Sequence, residues 1–161
     1  MGRITPLIIG GLTLATLLIA FPFARDMAYN EIKLISLKKR MRAYQHPVDS
    51  QLVRELSLIG NLAPASNQCG FVVAQVRTTT RAPDDVRAFY APVIIDSSGA
   101  EPPYQTVSLF MIPDEESSER IDISYSEISE QIIKEKLVGA GTYLFMISET
   151  GYPPNNDPRC H

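Results

Sequence analysis

The chain has 161 residues, 18 acidic against 15 basic side chains, and a net charge of −3, a size that fits one domain. The charge is unevenly placed: residues 25–42 hold six Lys/Arg against two acidic residues, while residues 43–161 hold eight against sixteen. So acidic a domain lacks the basic face that nucleic-acid binding needs, and no nucleic-acid partner is expected.

From Ile4 to Ala24 no residue is charged, a run of 21. A hydrocarbon core of ~30 Å takes about 20 apolar residues in a helix, and the run has no polar stripe such as a helix on a soluble core would show. Residues 1–24 are therefore predicted to be a membrane anchor. An uncleaved anchor is favoured over a signal peptide, because Pro22 and Ala24 make a poor small-x-small pair before Arg25. The first cysteine is Cys69, too far from the run to carry a lipid. Two orientations compete. The Lys/Arg-rich C-terminal flank favours a cytoplasmic domain. The nearest flanks, Arg3 and the amino group against an Arg25 offset by Asp26, favour N-in, C-out. With the cysteine argument below, the extracytoplasmic placement is adopted; the cytoplasmic face, or secretion after cleavage, is the alternative.

Residues 25–46 are expected to continue outward as a basic helical stalk, with Met27, Ile32, Leu34, Ile35, Leu37 and Met41 as an imperfect apolar stripe. Lys38, Lys39, Arg40 and Arg42 are candidate membrane-surface contacts, since basic residues beside an anchor suit anionic headgroups. Pro47 stops the helix, and His46 before it reads as a surface residue.

Residues 47–161 are predicted to form a globular α+β domain. Gln51–Ile59 fits either strand or helix, although the turn-rich residues 60–67 that follow suit a hairpin. Cys69–Thr80 is rich in β-formers. Pro83, Asp84 and Asp85 open a short helix with Val86, Phe89 and Tyr90 on one face, ended by Pro92. Asp96–Gly99 and Pro102-Pro103 read as loops, Tyr104–Ile112 as a strand, and Asp114–Glu119 as a polar turn. Arg120–Tyr125 alternates like a strand. Ser126 caps a second helix with Ile128, Ile132, Ile133 and Leu137 inward, closed by Gly139. Thr142–Ser148 is a continuous apolar strand, expected to be central. The predicted order is β-β-α-β-β-α-β, an antiparallel sheet with two helices on one face.

Cys69 and Cys160 are the only cysteines, 91 residues apart, which fits no metal or redox spacing. Cys160 ends a tail, Tyr152–His161, without regular pattern, and such a tail frays unless tied down. A Cys69–Cys160 disulfide is expected; two free thiols in a reducing compartment are the alternative. A metal site from both cysteines, His46 and His161 would need four distant residues to converge.

No zinc-protease, nucleophile-elbow or nucleotide-loop motif is present. The acidic residues Asp114, Glu115, Glu116 and Glu119 read as a solvated turn rather than a cation site. No cofactor and no enzymatic activity are expected. The anchor, helical continuation, β-rich domain and C-terminal cysteine loosely resemble a type IV pilin. The chain departs from the pilin pattern G-F-T-L-I-E in beginning its apolar run Ile4-Thr-Pro-Leu with no glutamate. The expected role is a single-pass, membrane-anchored extracytoplasmic module that binds a protein partner in the envelope. An envelope enzyme using scattered carboxylates, or a pilin-like structural subunit, is the alternative.

Overall fold

The longest element is one unbroken helix, α1 (Thr5–Ala43), which joins the apolar run to the basic segment. At 1.5 Å per residue it spans about 58 Å. The computed structural model describes residues 5–62, 68–96, 104–119, 121, 125–152 and 155–160, with side chains of this helix described from Ala20 onward. Ala20–Ala43 is not apolar enough to be a membrane span, and among the described residues no helix is long and apolar enough to cross a membrane. The side chains of Ile4–Ile19, which carry most of the anchor expectation, lie outside the described residues.

After α1 come β1 (Gln51–Gly60), β2 (Cys69–Thr78), α2 (Pro83–Asp96), β3 (Tyr104–Met111), α3 (Glu115–Glu119), α4 (Ser126–Lys134) and β4 (Thr142–Tyr152), then a 3-10 turn at Pro158–Cys160. The strands form one antiparallel sheet in the order β1-β2-β4-β3. Gln51–Gly60 is thus a strand, paired with β2 from Gln51↔Thr78 to Gly60↔Gly70. The expected turn at 64–67 and the loops at 97–99 and 102–103 lie outside the described residues.

The α+β class and antiparallel sheet are as expected, but the helices do not share a face. Val86 and Tyr90 of α2 join Leu34, Leu37 and Met41 of α1 over Phe71, Val73, Tyr143, Phe145 and Ile147. Ile128 and Ile132 of α4 cover Val72, Ala74, Val76, Leu144 and Met146 on the opposite face. The central strands are therefore buried on both sides, which is why β2 and β4 read as continuous apolar runs rather than alternating ones.

Four local expectations also change. Asp114–Glu119 contains a helical turn, because Asp114 Oδ1 accepts from the Ser117 backbone N–H at 2.8 Å, in the manner of an N-cap. No strand forms at the described residues of Arg120–Tyr125: Ile121 N–H donates to Ser118 O, and Ile121 packs with Tyr125 on the α4 side. Their spacing of four suits a helical path as well as an alternating one, while residues 120 and 122–124 lie outside the described set. Helix α2 runs through Pro92 to Asp96, carried on by Val93 packing on the core. In α4, Ser126 is the first helical residue and makes no side-chain cap, and the helix ends before Lys136, which takes a left-handed φ of 53°. Gly141 is required where it stands: its φ is +73°, and an added Cβ would lie 2.2 Å from Thr79 O.

Candidate functional site

Helix α1 meets the domain along Asp26, Asn30, Leu34, Leu37 and Met41, all buried and spaced four, four, three and four apart. That spacing keeps one stripe against the sheet. Leu34, Leu37 and Met41 belong to the anticipated apolar stripe, but Met27, Ile32 and Ile35 are exposed. The upper end of the buried stripe is polar because it meets the C-terminal tail instead of the apolar sheet.

The tail lies across α1 and is fixed by polar contacts at consecutive residues. Asn155 Nδ2 donates to Asn30 Oδ1 at 3.1 Å, and Asn30 Nδ2 donates to Asp157 Oδ2 at 2.9 Å. The backbone N–H and side-chain amide of Asn156 both donate to Asp26 Oδ2, at 3.0 and 2.8 Å. Arg159 bridges Asp157 and Glu31, each at 2.7 Å. Cys160 is disulfide-bonded to Cys69 with Cα atoms 4.8 Å apart, and both residues are fully buried. The cysteines bring the tail to the first residue of β2, as the sequence led us to expect, and leave no thiol for a metal.

These contacts settle the charge states of the buried acids. The hydrogen bonds from the Arg159 side chain, and then the one from Asn30, hold the Asp157 carboxyl down at about 2 despite its burial. The Asn156 backbone and side-chain amides, helped by Arg25, likewise lower Asp26. Arg159 is raised chiefly by Asp157.

Beside this junction is an open cleft of about 350 Å³, lined by Arg25, Asp26, Tyr29, Tyr152, Asn155 and Asn156 among others. Below it the Lys33 ammonium sits 4.2 Å from the Tyr152 ring centre and 5.1 Å from that of Tyr29, in the range of cation–π attraction. Tyr152 donates to Glu149 Oε2 at 2.7 Å, and the buried Glu149 is paired with Arg40.

The four basic candidates are thereby placed. Arg40 bonds to Glu149 and Gln105, and Arg42 forms a two-pronged pair with Glu55 at 2.8 and 3.1 Å. Lys38 is half-buried and contributes to lowering the Glu55 carboxyl, after Arg42. Lys39 is exposed. Two of the four thus face carboxylates of their own domain.

A second polar group lies in the core between α1 and α2. His46 Nδ1 is 2.6 Å from the Tyr90 hydroxyl, which is 3.1 Å from that of Tyr143. Burial, then the Arg77 charge, lowers His46 to about 4, so the ring is neutral at pH 7 and shares one hydrogen bond with the Tyr90 hydroxyl through Nδ1. Burial, then Tyr143, raises Tyr90. Among the described residues His46 Nε2 is buried without a partner. His46 is therefore a half-buried core residue and not the surface residue that its place before Pro47 suggests. Only the Tyr90 position on the inner face of α2 hinted at the pairing.

Among the described residues no group of His, Cys, Asp and Glu is arranged to hold a metal ion. Among the described residues, the carboxyls of Asp26, Asp49, Glu55 and Asp157 have their titration displaced downward. The fold and junction define a small α+β domain stapled by its own tail to a long N-terminal helix. No protein-family model, curated protein or solved structure matches the chain.

Proposed function

We propose that the protein is a membrane-anchored module, with its domain outside the cytoplasm, that binds another envelope protein through the outer face of α1. The observation that carries this reading is the one-sided docking of the helix. Asp26, Asn30, Leu34, Leu37 and Met41 face the domain, and on the far side Ile32 and Ile35 are 65% and 52% exposed. A pair of large apolar side chains on a helix whose other face is already satisfied suits contact with a second protein.

The buried disulfide supports an oxidising compartment, where such bonds persist. A pilin-like structural subunit is the second reading, favoured by the same long helix seated on an antiparallel sheet.

In-cell photo-crosslinking separates these readings, with a photoreactive residue at Ile32 and a control at Glu130 on α4. A discrete adduct of unequal mass from Ile32 alone is the expected result. A ladder in steps of one 17.9 kDa chain would favour the pilin-like subunit. Equal labelling from both positions would refute the α1 face as an interface.

A further inference from the structure

The cleft beside the tail lies at a definite place along α1. Arg25 and Asp26 are the first charged residues after the uncharged run, and Asp26 is the first described residue of the helix to be buried. The preceding turn carries Phe21 and Phe23, both exposed. If residues 4–24 lie in the bilayer, as the reading above has it, the cleft opens at headgroup depth. Lys38–Arg42 would then stand about 20 Å or more further along the helix.

The cleft has the chemistry of a site for a dipolar group. The Arg25 side chain is 66% exposed and bound to Asp26 by one edge, through Nε and one terminal nitrogen on the same oxygen. A guanidinium presents five donors, so others remain to take a phosphate. Tyr29 contributes a half-open phenol ring, the kind of side chain that settles at bilayer interfaces. Lys33 already lies against one side of the Tyr29 and Tyr152 rings, and the exposed remainder of the Tyr29 ring is open to a second cation. The charged groups gathered at the junction are Arg25, Lys33 and Arg159 against Asp26, Glu31 and Asp157, which balance. A balanced site gives no general attraction for anions and suits a ligand carrying both signs.

We propose that this cleft binds the headgroup of a zwitterionic phospholipid, its phosphate on Arg25 and its ammonium against the open side of the Tyr29 ring. Binding there would fix the height and tilt of the domain on the bilayer, since the same residues are locked to the tail and through it to β2. The inference rests on the anchored reading of α1.

The test uses the full-length protein purified in mild detergent, stripped of lipid, and titrated with phosphatidylethanolamine or phosphatidylglycerol under native mass spectrometry. Phosphatidylethanolamine is expected to be retained more tightly. Arg25→Gln should weaken it about tenfold, the value of one charge-assisted bond, with Arg25→Lys intermediate, Tyr29→Leu weaker than wild type, and Lys39→Gln unchanged. Because Arg25 is so exposed, its variants should keep the wild-type unfolding midpoint. Equal lipid retention by wild type and Arg25→Gln would overturn the proposal, as would a preference for phosphatidylglycerol. So would free phosphoethanolamine binding as tightly as the lipid, which would assign the cleft to a soluble ligand. A separate alkaline carbonate wash of membranes addresses the anchor: release into the supernatant would overturn the anchored reading, whereas retention with Arg25-independent lipid binding overturns the cleft assignment alone.

Discussion

Breaking the Cys69–Cys160 bridge by Cys160→Ser tests how the domain holds its end. The bridge closes a loop of 91 residues, and in the chain-entropy model such a closure stabilises by about 4–5 kcal/mol, with measured values often lower. The polar contacts of the tail to Asp26, Asn30 and Glu31 do not alter the loop entropy restored to the unfolded chain, and without the bridge they hold the tail only reversibly. We therefore expect a loss of about 2–4 kcal/mol. At roughly 3–4 °C per kcal/mol for a domain of this size, the thermal midpoint should fall by about 6–16 °C. Differential scanning calorimetry of oxidised wild type, reduced wild type and Cys160→Ser gives the shift. Limited proteolysis should show cleavage after about Gly151 in the last two only. A midpoint within about 2 °C of oxidised wild type, or a tail equally resistant in all three, would refute the view that the bridge stabilises the fold and secures the tail.

Asn30→Leu removes one hydrogen bond from the buried Asp157 carboxylate and one from Asn155, while Arg159 still holds Asp157, and should cost about 1–3 kcal/mol in urea unfolding; a loss under about 0.5 kcal/mol would show that the polar junction is not tightly held. His46 gives a pH signature. Its folded pKa of about 4 lies below the ordinary 6.5, so the unfolded chain binds the proton first. The stability it contributes is present above pH 6.5 and falls as pH drops toward 4, by about 1–2 kcal/mol after allowing for the ring's partial exposure. The urea midpoint should drop over that window in wild type and less in His46→Gln; parallel profiles would contradict the assignment. Gly141→Ala should destabilise by more than about 1 kcal/mol, through its positive φ and the Thr79 carbonyl in its path, and an unchanged midpoint would show that the turn relaxes freely.

The elements that were legible in the sequence are those whose signal is local. β2 and β4 announce themselves as β-rich apolar runs, and the proline and aspartates at 83–85 mark the start of α2. The disulfide could be inferred because an unpatterned tail has few other reasons to carry a penultimate cysteine. What escaped depends on residues far apart in the chain. That α2 and α4 take opposite faces follows from β2 and β4 being buried on both sides, a meaning the apolar runs carry only once the strand order is known. Asp26 and Asn30 look like ordinary polar positions on a basic helix until Asn155–Asp157 arrive to pair with them. His46 looks exposed until the turn at Pro47 folds it over Tyr90. The apolar positions Ile32 and Ile35 read as one imperfect stripe with Leu34 and Leu37, because a helix that is apolar on two sides shows no clear periodicity.

The compartment of the domain is the claim on which the anchor, the partner face and the lipid site all depend. Paired fusions at His161 measure it directly, one to alkaline phosphatase and one to green fluorescent protein, expressed from the full chain. The account predicts an active phosphatase and a dark fluorescent protein. An inactive phosphatase with a bright fluorescent protein would place the domain in the cytoplasm and contradict it.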